Sequence, residues 1–192
     1  MIKNKKNYRM QPETPSRSYM SVMYGNMCSR CYRESYQLNN PRYKGCSVCN
    51  EWLQDREAFY RWVQENWYTI EGEQIDLDKD ILVKGNKVYS PETCIFVPHI
   101  INIYFEHLTK KPVYVPEMNK WQIDLFLKNI GLFDTEEDAK KAYIKHKEAA
   151  ILDLALKYKG KIPDKLYEVM VNYKIELSDW KDEDEKESKR DE

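Results

Sequence analysis

The sequence predicts a mixed α+β protein in which a helical segment feeds a small hairpin and helix, followed by a small three-stranded sheet with two helices. Three observations predict it. Apolar residues recur every three or four positions through 18–36 and 51–66 and again beyond 135. Short β-branched and aromatic runs bounded by turn residues occupy 75–89 and 113–133. A chain of 192 residues with 42% hydrophobic content supplies one good core or two small ones.

Residues 1–17 are polar, with Pro12 and Pro15 close together, and are expected to form a flexible lead-in. Met20, Met23, Met27 and Cys31 predict a helix from Ser18 to Tyr36, stopped before Asn39, Asn40 and Pro41. Trp52, Phe59, Trp62, Val63 and Trp67 mark a second helix over Glu51 to Asn66. Ile75 to Leu77, Ile81 to Val83 and Val88 to Tyr89 read as strand pieces around a Gly85–Asn86 turn, hence a hairpin. A helix from Pro98 to His107 follows, and residues 18–110 form the first domain.

The second domain, 111–175, opens with three short strands, Val113 to Val115, Trp121 to Phe126 and Ile130 to Phe133. Asp134 or Thr135 then caps a helix, with Glu137 or Asp138 three residues on, and Gly160 and Pro163 end it. A last helix, Asp164 to Tyr173, packs through Leu166, Val169, Met170 and Tyr173. Residues 176–192 carry 9 Asp/Glu against 4 Lys/Arg and are expected as a disordered acidic tail.

Charged residues make up 33% of the chain, mean hydropathy is −0.81, and no run of eighteen apolar residues occurs. The Lys/Asn-rich start has no apolar stretch behind it, so neither a membrane span nor a secretory signal is expected, and the location expected is cytoplasmic. The net charge of −1 averages two unlike ends, because residues 1–70 hold 11 Lys/Arg against 6 Asp/Glu. That basic balance suits a polyanionic partner.

Cys28-Ser-Arg-Cys31 and Cys46-Ser-Val-Cys49 are two CxxC pairs. Their spacing allows a tetrahedral structural Zn²⁺ with two thiolates from each pair. The other reading is that these cysteines are small buried hydrophobes, since the first pair falls on a predicted helix.

Leu77-Asp78-Lys79-Asp80, Tyr89-Ser90-Pro91-Glu92-Thr93-Cys94 and Asn102 together resemble the motif of phage HNH homing endonucleases. Asn26 to Tyr32 and Val48 to Trp52 are similar to that family's upstream segments, so the resemblance spans about residues 18–108. It implies a ββα unit with Mg²⁺ or Mn²⁺ held by Asp78 and Asn102, acting on DNA in a phage-infected host. Lys79 stands where the family has its general-base His, and Thr93 where it has a central Asn. Between Asp78 and Asp80 a lysine stays charged, which suits it to gripping phosphate and not to accepting a proton. His99 and His107 lie near the helix and could substitute, so the base expected is His99 or a water relay.

Tyr114-Val115, Lys120-Trp121, Ile130 to Ala139 and Ala142-Tyr143 resemble the AP2 DNA-binding domain, most closely in Leu132-Phe133-Asp134-Thr135-Glu136-Glu137-Asp138-Ala139. The resemblance implies that an exposed sheet face enters the major groove of double-stranded DNA. The outward candidates are Lys120, Gln122, Asp124 and Lys128, with Trp121 against the core or the backbone; no Arg is present on these strands. Arg30 and Arg33, interleaved with tyrosines in the basic N-terminal half, are further DNA-contact candidates. Three functions stay open: an HNH-like metal-dependent endonuclease, a non-catalytic DNA-binding or regulatory protein on the same scaffold, and a phage inhibitor of a host protein partner acting through the acidic tail.

Overall fold

The computed structural model describes residues 11–106, 111–126 and 128–180, and it is mixed α+β as expected. The chain divides into two compact units, Met1–Asn102 and Ile103–Glu192, so the boundary falls inside a helix and not at residue 110.

In the first unit α1 (Arg17–Tyr32) starts at Ser16, whose hydroxyl accepts from the Tyr19 amide at 3.2 Å, and buries Met20, Tyr24, Met27 and Cys31 along one stripe. The helix expected to run on to Tyr36 ends at Tyr32, and a separate short α2 (Glu34–Asn39) follows after the extended Arg33. The helix expected over 51–66 is two helices, α3 (Asn50–Gln54) and α4 (Arg56–Asn66), separated at Asp55. Asp55 is extended, and its carboxylate accepts from the Glu57 amide at 2.9 Å, so the side chain that caps α4 also ends α3. Trp52, Phe59 and Val63 are fully buried here, with Trp52 ring centroids 5.0 Å from Phe59 and 5.2 Å from Trp62.

The hairpin is not the one the sequence suggests. Strand β2 (Ile75–Asp78) pairs antiparallel with β4 (Ile95–Pro98), in register Ile75 to Pro98 and Asp78 to Ile95. The stretch Ile81 to Val83 is loop, turned at Gly85 with φ +78°, and β3 (Val88–Tyr89) pairs in parallel with β1 (Ser47–Val48). All four residues of β4 are buried, so it shows none of the alternation that marks a half-exposed strand. Helix α5 (His99–Glu106) follows β4 directly, which makes β2, β4 and α5 a ββα unit.

The expected flexible lead-in is tied down where it is described. Gln11 donates to the Ile75 carbonyl at 2.8 Å and accepts from the Ile75 amide at 2.6 Å, imitating a strand partner for β2. The Pro12 carbonyl accepts from the Trp67 indole at 3.1 Å. Residues 1–10 lie outside the described residues.

In the second unit β5 (Val113–Val115), β6 (Lys120–Leu125) and β7 (Lys128–Phe133) form an antiparallel sheet in that order, with a bulge after Ile123. Helix α6 (Glu136–Tyr158) lies on one face of it, where Ile123, Ala139 and Tyr143 are buried together. Thr135 is the cap, its hydroxyl accepting from the Asp138 amide at 3.1 Å. Gly160, φ +73°, ends the helical region, and α7 (Asp164–Val171) adds Leu166 and Met170 to the buried set. Trp180 stands edge-on to Tyr143 with centroids 5.3 Å apart, so chain expected in the acidic tail is packed as far as residue 180. The rest of that tail, 181–192, lies outside the described residues. No helix among the described residues is long and apolar enough to cross a membrane.

Candidate functional site

Strand β2 offers two carboxylates on one face, because side chains two apart along a strand point the same way. The register decides which of them meets α5. Asp76 is opposite Val97 and Asp78 opposite Ile95, so Asp76 is the one beside the start of the helix and Asp78 is about 7 Å farther along the strand. His99 and Asn102, three apart on α5, share one helix face.

The three side chains meet. Asp76 Oδ2 accepts from His99 Nδ1 at 2.6 Å and from Asn102 Nδ2 at 3.1 Å, while Asp76 Oδ1 accepts from Gln74 Nε2 at 2.8 Å. A carboxylate can only accept, so Nδ1 carries the proton in this pair, and in the neutral imidazole Nε2 is the acceptor. The carboxylate of Asp76 is four-fifths buried and Asn102 is 9% exposed. Among the described residues Asn102 Oδ1 is buried without a hydrogen-bond partner. The His99 amide donates to the Gln74 carbonyl at 2.7 Å, which locks the helix start onto β2.

Asp78, the residue expected to ligate a cation with Asn102, is committed elsewhere. Its Oδ1 accepts from the amides of Asp80 at 2.8 Å and Ile81 at 2.7 Å, so it shapes the turn that leaves β2. Burial, reinforced by the neighbouring charge of Asp80, pushes its carboxyl up to about 7. The family motif points to Asp78, whereas the pairing of β2 with the apolar run 95–98 sets Asp76 beside α5.

Lys79 is not exposed to grip phosphate. It is buried, its Nζ is 3.1 Å from Asp80 Oδ1, and it lies 5.9 Å from the Tyr43 ring centre and 5.7 Å from that of Tyr89. Burial alone would lower its pKa, but the neighbouring groups together, Asp80 foremost, outweigh that and raise it, so Lys79 stays an ammonium and is no base. Thr93 donates to the Val88 carbonyl at 2.8 Å and lies 3.1 Å from the Ser90 hydroxyl, which makes it a loop-shaping residue.

All five cysteines are free thiols. Cys31, Cys46 and Cys94 are buried in the main core, whereas Cys28 and Cys49 are half-buried. Burial, with Cys46 and Cys28 nearby, pushes the Cys31 thiol up to about 12, so it is protonated at neutral pH. Among the described residues no group of three or more His, Cys, Asp or Glu side chains is arranged to hold a metal ion.

The DNA-contact candidates separate by face. Trp121 and Leu125 lie on the α6 side of the sheet with Ile123, so Trp121 is a packing residue, its ring 5.3 Å from that of Tyr114. Lys120, Gln122 and Asp124 alternate to the other side; Lys120 is ion-paired with Asp134, and Gln122 donates to Asp124 at 3.5 Å. Lys128 is exposed. In the first unit Arg33 is exposed at the end of α1, while the Arg30 guanidinium lies 5.4 Å over the Tyr43 ring and is hydrogen-bonded to Tyr89. No family model matches the sequence, and no curated protein or solved structure matches it either.

Proposed function

We propose that the protein binds double-stranded DNA and hydrolyses its phosphodiester backbone at Asp76, His99 and Asn102, with one divalent cation, Mg²⁺ or Mn²⁺, held by Asp76 and Asn102. The observation that carries this reading is the orphaned amide oxygen. Asn102 Oδ1 is buried with no partner among the described residues, while Nδ2 of the same amide faces Asp76 Oδ2 at 3.1 Å. An unpaired buried oxygen costs about 1–3 kcal/mol. Turning the amide over sets an amide oxygen beside a carboxylate oxygen, a pairing that is repulsive until a cation joins them, and hard divalent cations take such oxygen ligands. When bound, the cation stabilises charge developing on the phosphate and the leaving oxygen.

The chain's own groups supply the rest. His99, oriented through Nδ1 by Asp76, presents Nε2 to accept a proton from water, an arrangement in which the carboxylate sets the tautomer. The basic balance of residues 1–70 favours a polyanion near this unit. A supercoiled-plasmid assay with Mg²⁺ or Mn²⁺ tests the reading. Nicking is expected from the native chain and lost in Asp76→Asn and His99→Ala; nicking that survives Asp76→Asn would overturn it.

The second reading is a non-catalytic DNA-binding or regulatory protein. It is favoured by the burial of Lys79 where the HNH family has its base. A salt-sensitive mobility shift without nicking, on several DNA sequences, is its expected signature.

A further inference from the structure

Helix α1 and strand β2 border an open cleft of about 250 Å³ in the first unit. Val22, Met23 and Leu77 form its apolar lining, and Asn26, Gln74 and Asp76 its polar one. Asp76 is therefore a wall of the cleft and the acceptor for His99 and Asn102 at once, and Gln74 connects the two by its 2.8 Å bond to Asp76 Oδ1.

We infer that this cleft receives one unpaired nucleobase of the bound DNA, next to the phosphate that reacts at Asp76. The inference rests on the function proposed above. Size limits the occupant, since sites for drug-sized ligands run from roughly 300 Å³ upward. The cleft is smaller than that, which suits a single ring system better than a base pair. Its chemistry fits a base in particular. Valine, leucine and thioether surfaces pack against a ring face, and an amide presents a donor and an acceptor side by side, as the Watson–Crick edge of a base requires. Asn26 is exposed at the cleft and can make that contact. Arg30 also borders the cleft, and its guanidinium, held against Tyr43, offsets the negative charge of Asp76 toward an incoming backbone.

The test uses the full chain and labelled duplexes of one sequence: fully paired, carrying one extra unpaired thymine, and carrying an abasic residue at the same place. The unpaired thymine should raise affinity about tenfold over the paired duplex, because the cost of extruding a base has been removed, and the abasic duplex should lose most of that gain. Val22→Trp, which fills the mouth of the cleft at an exposed position, and Asn26→Ala should both erase the preference while paired-duplex affinity stays within about twofold. Equal affinity for the three duplexes, or a preference that survives Val22→Trp, would overturn the inference and leave the proposed function standing. A second arm titrates thymidine monophosphate against the ¹³C-methyl signal of Met23. A shift that Val22→Trp removes, in a chain that binds no duplex, would keep the cleft assignment and sink the DNA reading; no shift and no duplex binding would remove both.

Discussion

Asp76 and His99 are 23 residues apart in the chain and 2.6 Å apart in the fold. Neither residue stands out by itself. Their meeting follows from β2 pairing with β4, which delivers the first residue of α5 to the carboxylate on the neighbouring strand.

The first prediction separates the two carboxylates of β2. Asp76→Asn should reduce nicking by roughly 100-fold or more, as expected when a charged ligand and the orienter of a base are lost together. Asp78→Asn should stay within about threefold of the native rate, since an amide oxygen can still accept from Asp80 and Ile81. Initial rates on supercoiled plasmid decide between them, and the opposite order would return the site to Asp78.

Gln11 should matter to stability although it lies in a segment without regular structure. It satisfies both backbone groups of Ile75, so Gln11→Ala should cost about 1–3 kcal/mol by leaving them unpaired or wet. Urea denaturation of the full chain measures this, and a change below about 0.5 kcal/mol would contradict it.

Lys147 is fully buried on α6, and burial brings its ammonium down to about 7 from an ordinary value of 10.5. The unfolded chain therefore binds more protons than the folded one between about pH 7 and pH 10.5, and stability should rise with pH through that window. Lys147→Met removes the dependence. It should stabilise the second unit by about 1–3 kcal/mol at pH 7, with a smaller gain at pH 10, read by hydrogen exchange of α6 amides at both values. A gain that grows with pH would refute the assignment.

On the sheet of the second unit, Trp121 and Lys128 should behave oppositely. Trp121→Phe should leave DNA affinity within about twofold, because the ring packs on the α6 side. Lys128→Ala should lower the dependence of log affinity on log salt by about one if this exposed side chain meets phosphate. Anisotropy at several salt concentrations measures both, and a strong loss with Trp121→Phe would place the contact on the wrong side of the sheet.

What the sequence by itself determined is local. The helix over α1, the Thr135 cap, the Gly160 stop and the three strands of the second sheet are written in spacing and turn chemistry, and each lies close to its expected place. So is the presence of an acidic β2 and of His99 and Asn102 on one stretch of helix. Only the tertiary structure decided which carboxylate the helix meets, that β4 and not Val88 to Tyr89 completes the hairpin, and that Lys79 is buried. The physical reason is common to the first two. A fully buried strand carries no alternating signal, and a shift of partner along a strand exchanges one side chain for its neighbour two residues away without altering the local pattern that sequence reading detects.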